Sequence, residues 1–84
     1  MRSLTLYTTA QCPYCDAAKR LLKSKGASWK EVRVDLDPMA KDAMISRSGR
    51  RTVPQIFIET RHVGGFDDLS AADRRGELDE WLAD

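Results

Sequence analysis

The sequence predicts an α/β domain: a four-stranded mixed sheet with helices on both faces, in the order β-α-β-α-β-β-α. Three observations carry that prediction. Short runs of alternating or continuous apolar residues take turns with runs at helical spacing along the whole chain. The first β-α-β unit is long enough for a right-handed crossover between parallel strands. The third and fourth strand-like runs lie too close in sequence for anything but a hairpin. With 84 residues, the chain is expected to form one domain over residues 1–84, burying around two-thirds of its unfolded surface.

The elements follow in order. Residues 3–8 alternate, with Leu4 and Leu6 on one face and Thr5 and Tyr7 on the other, which reads as a strand. Ala17, Ala18, Leu21, Leu22 and Lys25 then recur at helical spacing, and Gly26 marks the stop. "WKEVRVDL" returns to strand, with Val32 and Val34 sharing a face. Asp37-Pro38 reads as an N-cap followed by a first-turn proline, opening a helix with Met39, Ala40, Ala43 and Met44 inward and its end at Gly49. "PQIFIET" is a short, strongly apolar strand, and "RHV" with a Gly64-Gly65 turn follows closely. The remaining "DDLSAADRRGELDEWLAD" makes one or two helices, offering Leu69, Ala72, Leu78, Trp81 and Leu82 to the core. This is the thioredoxin-like arrangement.

Composition excludes some functions. Net charge is +1 with acids and bases interspersed, so neither nucleic acid nor a membrane surface is an expected partner; either would call for a large basic excess. The doublets Arg50-Arg51 and Arg74-Arg75 are expected to be solvated surface. No apolar run approaches the ~20 residues that span a bilayer, and "SLTLYT" is too short and too alternating for a signal-peptide core. The expectation is a cytoplasmic monomer, in a compartment where structural disulfides are rare.

The only two cysteines stand in "QCPYCDAAKRLL", residues 11–22. A zinc site needs about four ligands, and beyond Cys12 and Cys15 the chain offers one distant histidine, His62, which reads as an ordinary hairpin surface residue. No bound metal is expected. A structural Cys12–Cys15 bridge would close a tiny loop and stabilise little. Inert buried cysteines would not need this spacing. A redox dithiol following the first strand of a βαβ unit is the reading that fits. Cys12 falls at the N-cap and Pro13 at the first helical position, where a missing N–H costs nothing. Free amides and the positive end of the helix dipole then stabilise the Cys12 thiolate. Cys15 lies one turn inside, within reach of a disulfide formed at Cys12. Cys12 is thus the expected nucleophile and Cys15 the resolving thiol.

"CPYC", "TVPQIFI" at 52–58 and "GGFDDL" at 64–69 together closely resemble a dithiol glutaredoxin of the short bacterial type, in the same order and spacing over essentially all 84 residues. The resemblance implies a glutathione-dependent thiol–disulfide oxidoreductase that reduces glutathionylated proteins and some protein disulfides. Glutathione would be the co-substrate, without metal or flavin. It also implies that Pro54 is a cis proline facing the CPYC loop, with Thr52 and Val53 beside it. A proline suits a bend at a strand mouth because it cannot donate to the ladder. The Val53 N–H and C=O would then pair with the peptide part of an extended ligand. Gly65, Phe66, Asp67 and Asp68 at a helix start suit a zwitterion, with amides for a carboxylate and acidic side chains for an ammonium. The γ-glutamyl end of glutathione carries both groups. Arg47, with Arg50 as a second candidate, is expected at the glycine carboxylate, and Tyr14 at the site's edge.

Lowering the Cys12 pKa raises its thiolate fraction but cuts intrinsic nucleophilicity by a comparable factor, given a Brønsted slope of about 0.4–0.5. The larger gain is in leaving: a low-pKa sulfur is easily expelled from a mixed disulfide with glutathione. Two departures from the family pattern stand out. Thr9 occupies a position where relatives usually carry a lysine, and Phe66 one that is usually small. Two other classes remain: a thioredoxin-like reductant recharged by a flavoprotein, and an iron–sulfur carrier dimer. The glutathione-shaped blocks count against the first and the CPYC proline against the second.

Overall fold

The computed structural model describes residues 1–84. In chain order it has β1 (Leu4–Thr8), α1 (Pro13–Ser24), β2 (Lys30–Arg33), α2 (Pro38–Ser48), β3 (Gln55–Ile58), β4 (Arg61–Gly64), α3 (Phe66–Arg74) and α4 (Glu77–Leu82). The four strands form one sheet in the order β2-β1-β3-β4. Strand β1 runs parallel to β2, with Leu6 opposite Glu31, and antiparallel to β3, with Leu6 opposite Ile56. Strands β3 and β4 form the expected antiparallel hairpin. The thioredoxin-like order is therefore the observed one.

Side-chain alternation along the two central strands divides the interior in two. Leu4, Leu6, Ile56 and Ile58 face one way and meet Ala18 and Leu22 of α1, Leu69 and Ala72 of α3, and Leu78 and Leu82 of α4. Tyr7 and Phe57 face the other way and meet Val34 and Met44. Both sheet faces are covered, which is why all four residues of β3 are buried. Each fully buried Leu or Ile contributes about 1.5–3 kcal/mol, so the larger cluster dominates stability.

Local signals set the helix boundaries. Cys12 and Asp37 are extended N-caps, each followed by proline. Helix α2 stops at Gly49, whose φ of 72° is left-handed. The C-terminal run is two helices broken at Gly76. Strand β2 is shorter than the apolar pattern suggests, although Val34 remains buried and its N–H donates to the Thr8 carbonyl at 3.0 Å. Helix α2 departs further from expectation, since Met39 is 79% exposed and Ala43 is exposed. Its sheet-facing stripe is Ala40, Met44 and Arg47, spaced i, i+4, i+7. The opposing apolar patch is small, and that stripe covers it.

Candidate active site

Three loops at one end of the sheet build the site. The first leads from β1 into α1. The Ala10 N–H donates to Asp35 Oδ2 at 3.2 Å, tying this loop to the end of β2. Arg33 clamps Asp35 through Nε at 2.8 Å and Nη2 at 2.6 Å. That guanidinium, helped by the Ala10 amide, holds the Asp35 carboxyl down at about 2. Behind the loop, Thr8 Oγ1 donates to Glu31 at 2.7 Å and Lys19 pairs with the same carboxylate at 2.7 Å. Lys19, with help from Thr8, keeps Glu31 below the usual carboxylate range.

Cys12 caps α1, and its Sγ accepts from the Cys15 N–H at 3.1 Å. This is the thiolate-stabilising position that the Cys-Pro pair predicts. The two cysteines are joined as a disulfide with Cα atoms 5.2 Å apart. Cys15 is only 1% exposed, whereas Cys12 is half-buried.

The second loop carries Thr52, Val53 and Pro54, and the Val53–Pro54 peptide bond is cis. The Val53 carbonyl oxygen lies 4.0 Å from Cys12 Sγ. Behind the loop, the Gln55 side chain is fully buried. Its Nε2 donates to the Thr52 carbonyl at 3.0 Å and to Thr52 Oγ1 at 3.2 Å. His62 Nε2 meets Gln55 Oε1 at 2.7 Å, and its ring stacks on Phe57 at 4.8 Å. His62 is thus a partly buried member of a polar chain behind the cis proline, where the sequence suggested a surface position. Burial, reinforced by the positive charges of Arg50 and Arg47, lowers its pKa, and Asp68 opposes them.

The third segment is the start of α3. Gly65 is its N-cap, and the Gly65 N–H donates to Asp68 Oδ2 at 3.0 Å. The same oxygen accepts from Arg50 Nη1 at 3.0 Å. Arg50 first, then the Gly65 amide, keep the Asp68 carboxyl below its ordinary range. Asp68 is therefore committed within the protein, while Asp67 is exposed and forms no ion pair. Phe66 stacks against Tyr14 of α1, ring centroids 6.2 Å apart, so the bulky residue at this position meets the aromatic of CPYC.

These segments enclose a groove of about 250 Å³ that runs from Tyr14 past Thr52–Pro54 to Gly65–Asp68, with Arg50 in its wall. A larger hollow of about 520 Å³ lies beside Lys23 and Trp29, but it is the smaller groove whose wall includes Tyr14 of the CPYC motif and Val53, the residue whose carbonyl faces Cys12 Sγ, so the chemistry belongs there. Arg47 does not line the groove. Its guanidinium lies 4.0 Å over the Phe57 ring and donates to Tyr7 Oη at 2.9 Å and to the Glu59 carbonyl at 3.5 Å. The helical stripe through Ala40 and Met44 turns Arg47 onto the sheet, leaving Arg50 beyond the helix end as the groove's arginine. Sequence alone does not single out Gln55 and His62 for the site. The available signal was a glutamine inside an otherwise apolar strand, which has to find buried partners.

A Cys-x-x-Cys pair at a helix start, facing a cis proline in this fold, defines a dithiol oxidoreductase of the thioredoxin-like class. The glutaredoxin family model matches residues 4–63. The chain is 52% identical to Glutaredoxin 3 of Escherichia coli strain K12 over 82 residues, which cover 98% of this chain and 99% of that protein. It is 46% identical to a glutaredoxin of Pseudomonas aeruginosa over 83 residues, covering 99% of each. A buckwheat glutaredoxin–glutathione complex superposes with a TM-score of 0.86 at 30% identity, over 94% of this chain and 74% of that one. The glutaredoxin of Brucella melitensis superposes with a TM-score of 0.85 at 48% identity, over 98% and 89% respectively. The chain belongs to the glutaredoxin family. It is a thiol–disulfide oxidoreductase, and the Cys12–Cys15 pair is its redox couple.

Proposed function

We propose that this enzyme takes its electrons from glutathione and uses them to reduce protein–glutathione mixed disulfides and protein disulfides, working as a cytoplasmic monomer in one domain spanning residues 1–84. The observation that carries this reading is the groove beside Cys12, whose features match glutathione from one end to the other. The Val53 main chain offers a donor and an acceptor to the peptide part. The first-turn amides of α3 have no intrahelical acceptor and suit the γ-glutamyl carboxylate. Asp67 is the free acceptor for the ammonium. Asp68 supports it indirectly, because its carboxylate is already held by Gly65 and Arg50. Arg50 replaces Arg47 as the arginine of the site. One of its N–H groups is used by Asp68, leaving others for a carboxylate. Tyr14 and Phe66 cover the edge.

In the first step the Cys12 thiolate attacks the glutathione sulfur of a glutathionylated protein. The protein thiolate leaves and takes a proton from water, and Cys12 carries glutathione. From there two routes return the enzyme. A second glutathione thiolate attacks the bound glutathione sulfur, releasing glutathione disulfide and the Cys12 thiolate. Alternatively, the Cys15 thiolate attacks Cys12 Sγ, expels glutathione thiolate and forms the Cys12–Cys15 disulfide, which two glutathiones then reduce. Protein disulfides follow the second route, with a substrate thiolate in place of glutathione.

The test is turnover with glutathione and a glutathionylated peptide. Cys12→Ser should be inactive, while Cys15→Ser should keep deglutathionylation and lose reduction of protein disulfides. Equal loss in both variants on the glutathionylated peptide would overturn the leaving-group argument. Efficient recharging by a flavoprotein thioredoxin reductase but not by glutathione would overturn the choice of reductant.

A further inference from the structure

Behind the cis-proline loop, a chain of hydrogen bonds runs from the β3–β4 hairpin almost to the reactive sulfur. Gln55 Nε2 donates twice to Thr52, at 3.0 Å to the carbonyl and 3.2 Å to the hydroxyl. Its Oε1 must therefore face His62 at 2.7 Å, and only a ring nitrogen carrying a proton can satisfy it. His62 is thus fixed with hydrogen on Nε2. The Phe57 stack at 4.8 Å sets the plane of the ring. Gln55 is fully buried and every polar atom of its side chain is partnered. At the far end, the Val53 carbonyl is 4.0 Å from Cys12 Sγ.

None of these side chains touches sulfur, yet between them they restrain the loop whose Val53 carbonyl faces it. Glutamine has no packing reason to sit, fully buried, at the first position of an otherwise apolar four-residue strand. Burying its amide is costly unless every bond is made. Here the bonds are made, and two of them restrain Thr52.

We propose that Gln55 and His62 are positioning residues for the reaction. His62 fixes the Gln55 amide, Gln55 fixes the Thr52 main chain, and together they hold the Val53 N–H and C=O at the distance from Cys12 that an extended peptide disulfide requires. The inference rests on the glutathione reading above and deepens it. The selectivity for a glutathione-bearing disulfide is set partly by two residues outside the groove.

The experiment compares two substrates: a glutathionylated peptide, which engages the Val53 main chain, and bis(2-hydroxyethyl) disulfide, which has no peptide group to pair with it. Gln55→Leu and His62→Phe, the latter keeping an aromatic ring on Phe57, should each raise KM for the glutathionylated peptide by about three- to tenfold, the value of one hydrogen bond. Initial attack on the hydroxyethyl disulfide, driven by dithiothreitol, should stay within about twofold of wild type. His62→Gln returns a donor near the Nε2 position and should recover most of the lost affinity. Nitrogen-15 shifts of the wild-type ring should report the Nε2–H tautomer. Equal losses on both substrates would reduce the network to support of the fold, and unchanged KM in Gln55→Leu would remove it from the reaction; either overturns the proposal. A wild-type enzyme that does not prefer the glutathionylated peptide would overturn the glutathione reading itself, and the inference with it.

Discussion

Replacing Gly64 with alanine should damage fold and groove together, and the size of the effect follows from local geometry. Gly64 has a φ of 120°, and a Cβ built there would lie 2.2 Å from Asp68 Oδ2 and 2.9 Å from Asp68 Cβ. The carboxylate end can swing away, but Asp68 Cβ is fixed to α3, so the turn itself has to shift. Backbone strain at such a φ costs about 1–3 kcal/mol. Displacing Asp68 also breaks its bond to the Gly65 N–H, worth about 1.5–3 kcal/mol for a charged acceptor. The Arg50–Asp68 pair is nearly half exposed and adds less than about 1 kcal/mol. Reduced freedom of the unfolded chain returns about 0.4–1 kcal/mol. The net loss is about 2–6 kcal/mol, a large share of the total for a domain of this size at ~0.05–0.15 kcal/mol per residue. Melting should drop by roughly 10 °C or more. Urea unfolding should show a lower midpoint with unchanged slope, and KM for a glutathionylated peptide should rise because Asp68 no longer orders the α3 start. Gly65→Ala is the control, since its Cβ would meet only the Pro54 carbonyl at 3.5 Å, an ordinary contact. A Gly64→Ala protein within about 1 kcal/mol of wild type, with KM intact, would refute the reasoning.

Three further outcomes are expected. Asp67→Asn should weaken use of glutathione by about five- to tenfold at unchanged stability, while a deaminated glutathione analogue should not register the change; Asp68→Asn should instead lower the unfolding midpoint. Thr9→Lys should lower the Cys12 pKa, read from thiolate absorbance near 240 nm, by an amount worth about 0.5–1 kcal/mol after screening, and the gain should shrink with salt; Lys19 is committed to Glu31 and Arg47 to Tyr7, so neither should mask it. Because the folded protein lowers the His62 pKa from 6.5, the unfolded chain binds the extra proton first. Stability should fall as pH drops below about 6.5 and level off below the folded value, and His62→Phe should flatten that slope. The Asp68 contribution, with its pKa lowered from 3.8, should persist through this range and disappear only in stronger acid.

The elements readable from sequence are those whose causes are local. Cys12-Pro13 and Asp37-Pro38 announce helix starts because a cap and a missing N–H are properties of neighbouring residues, and both are where the structure has them. The alternation of Leu4, Leu6 and Tyr7 assigns two sheet faces, and both are covered. What was not legible depends on partners far along the chain. Arg47 reads as a groove cation until Phe57 and Tyr7, supplied by two other elements, claim it. Met39 fits a helical apolar stripe, but the patch it would cover is already filled through Ala40, Met44 and Ile45. Asp67 and Asp68 look equivalent in "GGFDDL"; only the approach of Arg50 and the Gly65 amide separates a free carboxylate from a committed one. His62 owes its place to Gln55, seven residues earlier across a hairpin.

The burial of Cys15, at 1% exposure beneath a half-open Cys12, has a kinetic consequence under the proposed mechanism. With Cys12 as the nucleophile, electrons would enter and leave through that one sulfur. One sulfur bonds one partner at a time, so acceptor and donor would react with it in turn. Turnover is then expected to be ping-pong, with each half-reaction independent of the identity of the other partner. Double-reciprocal plots for any pair of substrates should be parallel, and an excess of one disulfide should delay every other. In a mixture of substrates, the share of reducing power that each receives is then set by how fast it captures the one reduced sulfur, and by nothing the enzyme remembers of where its electrons came from.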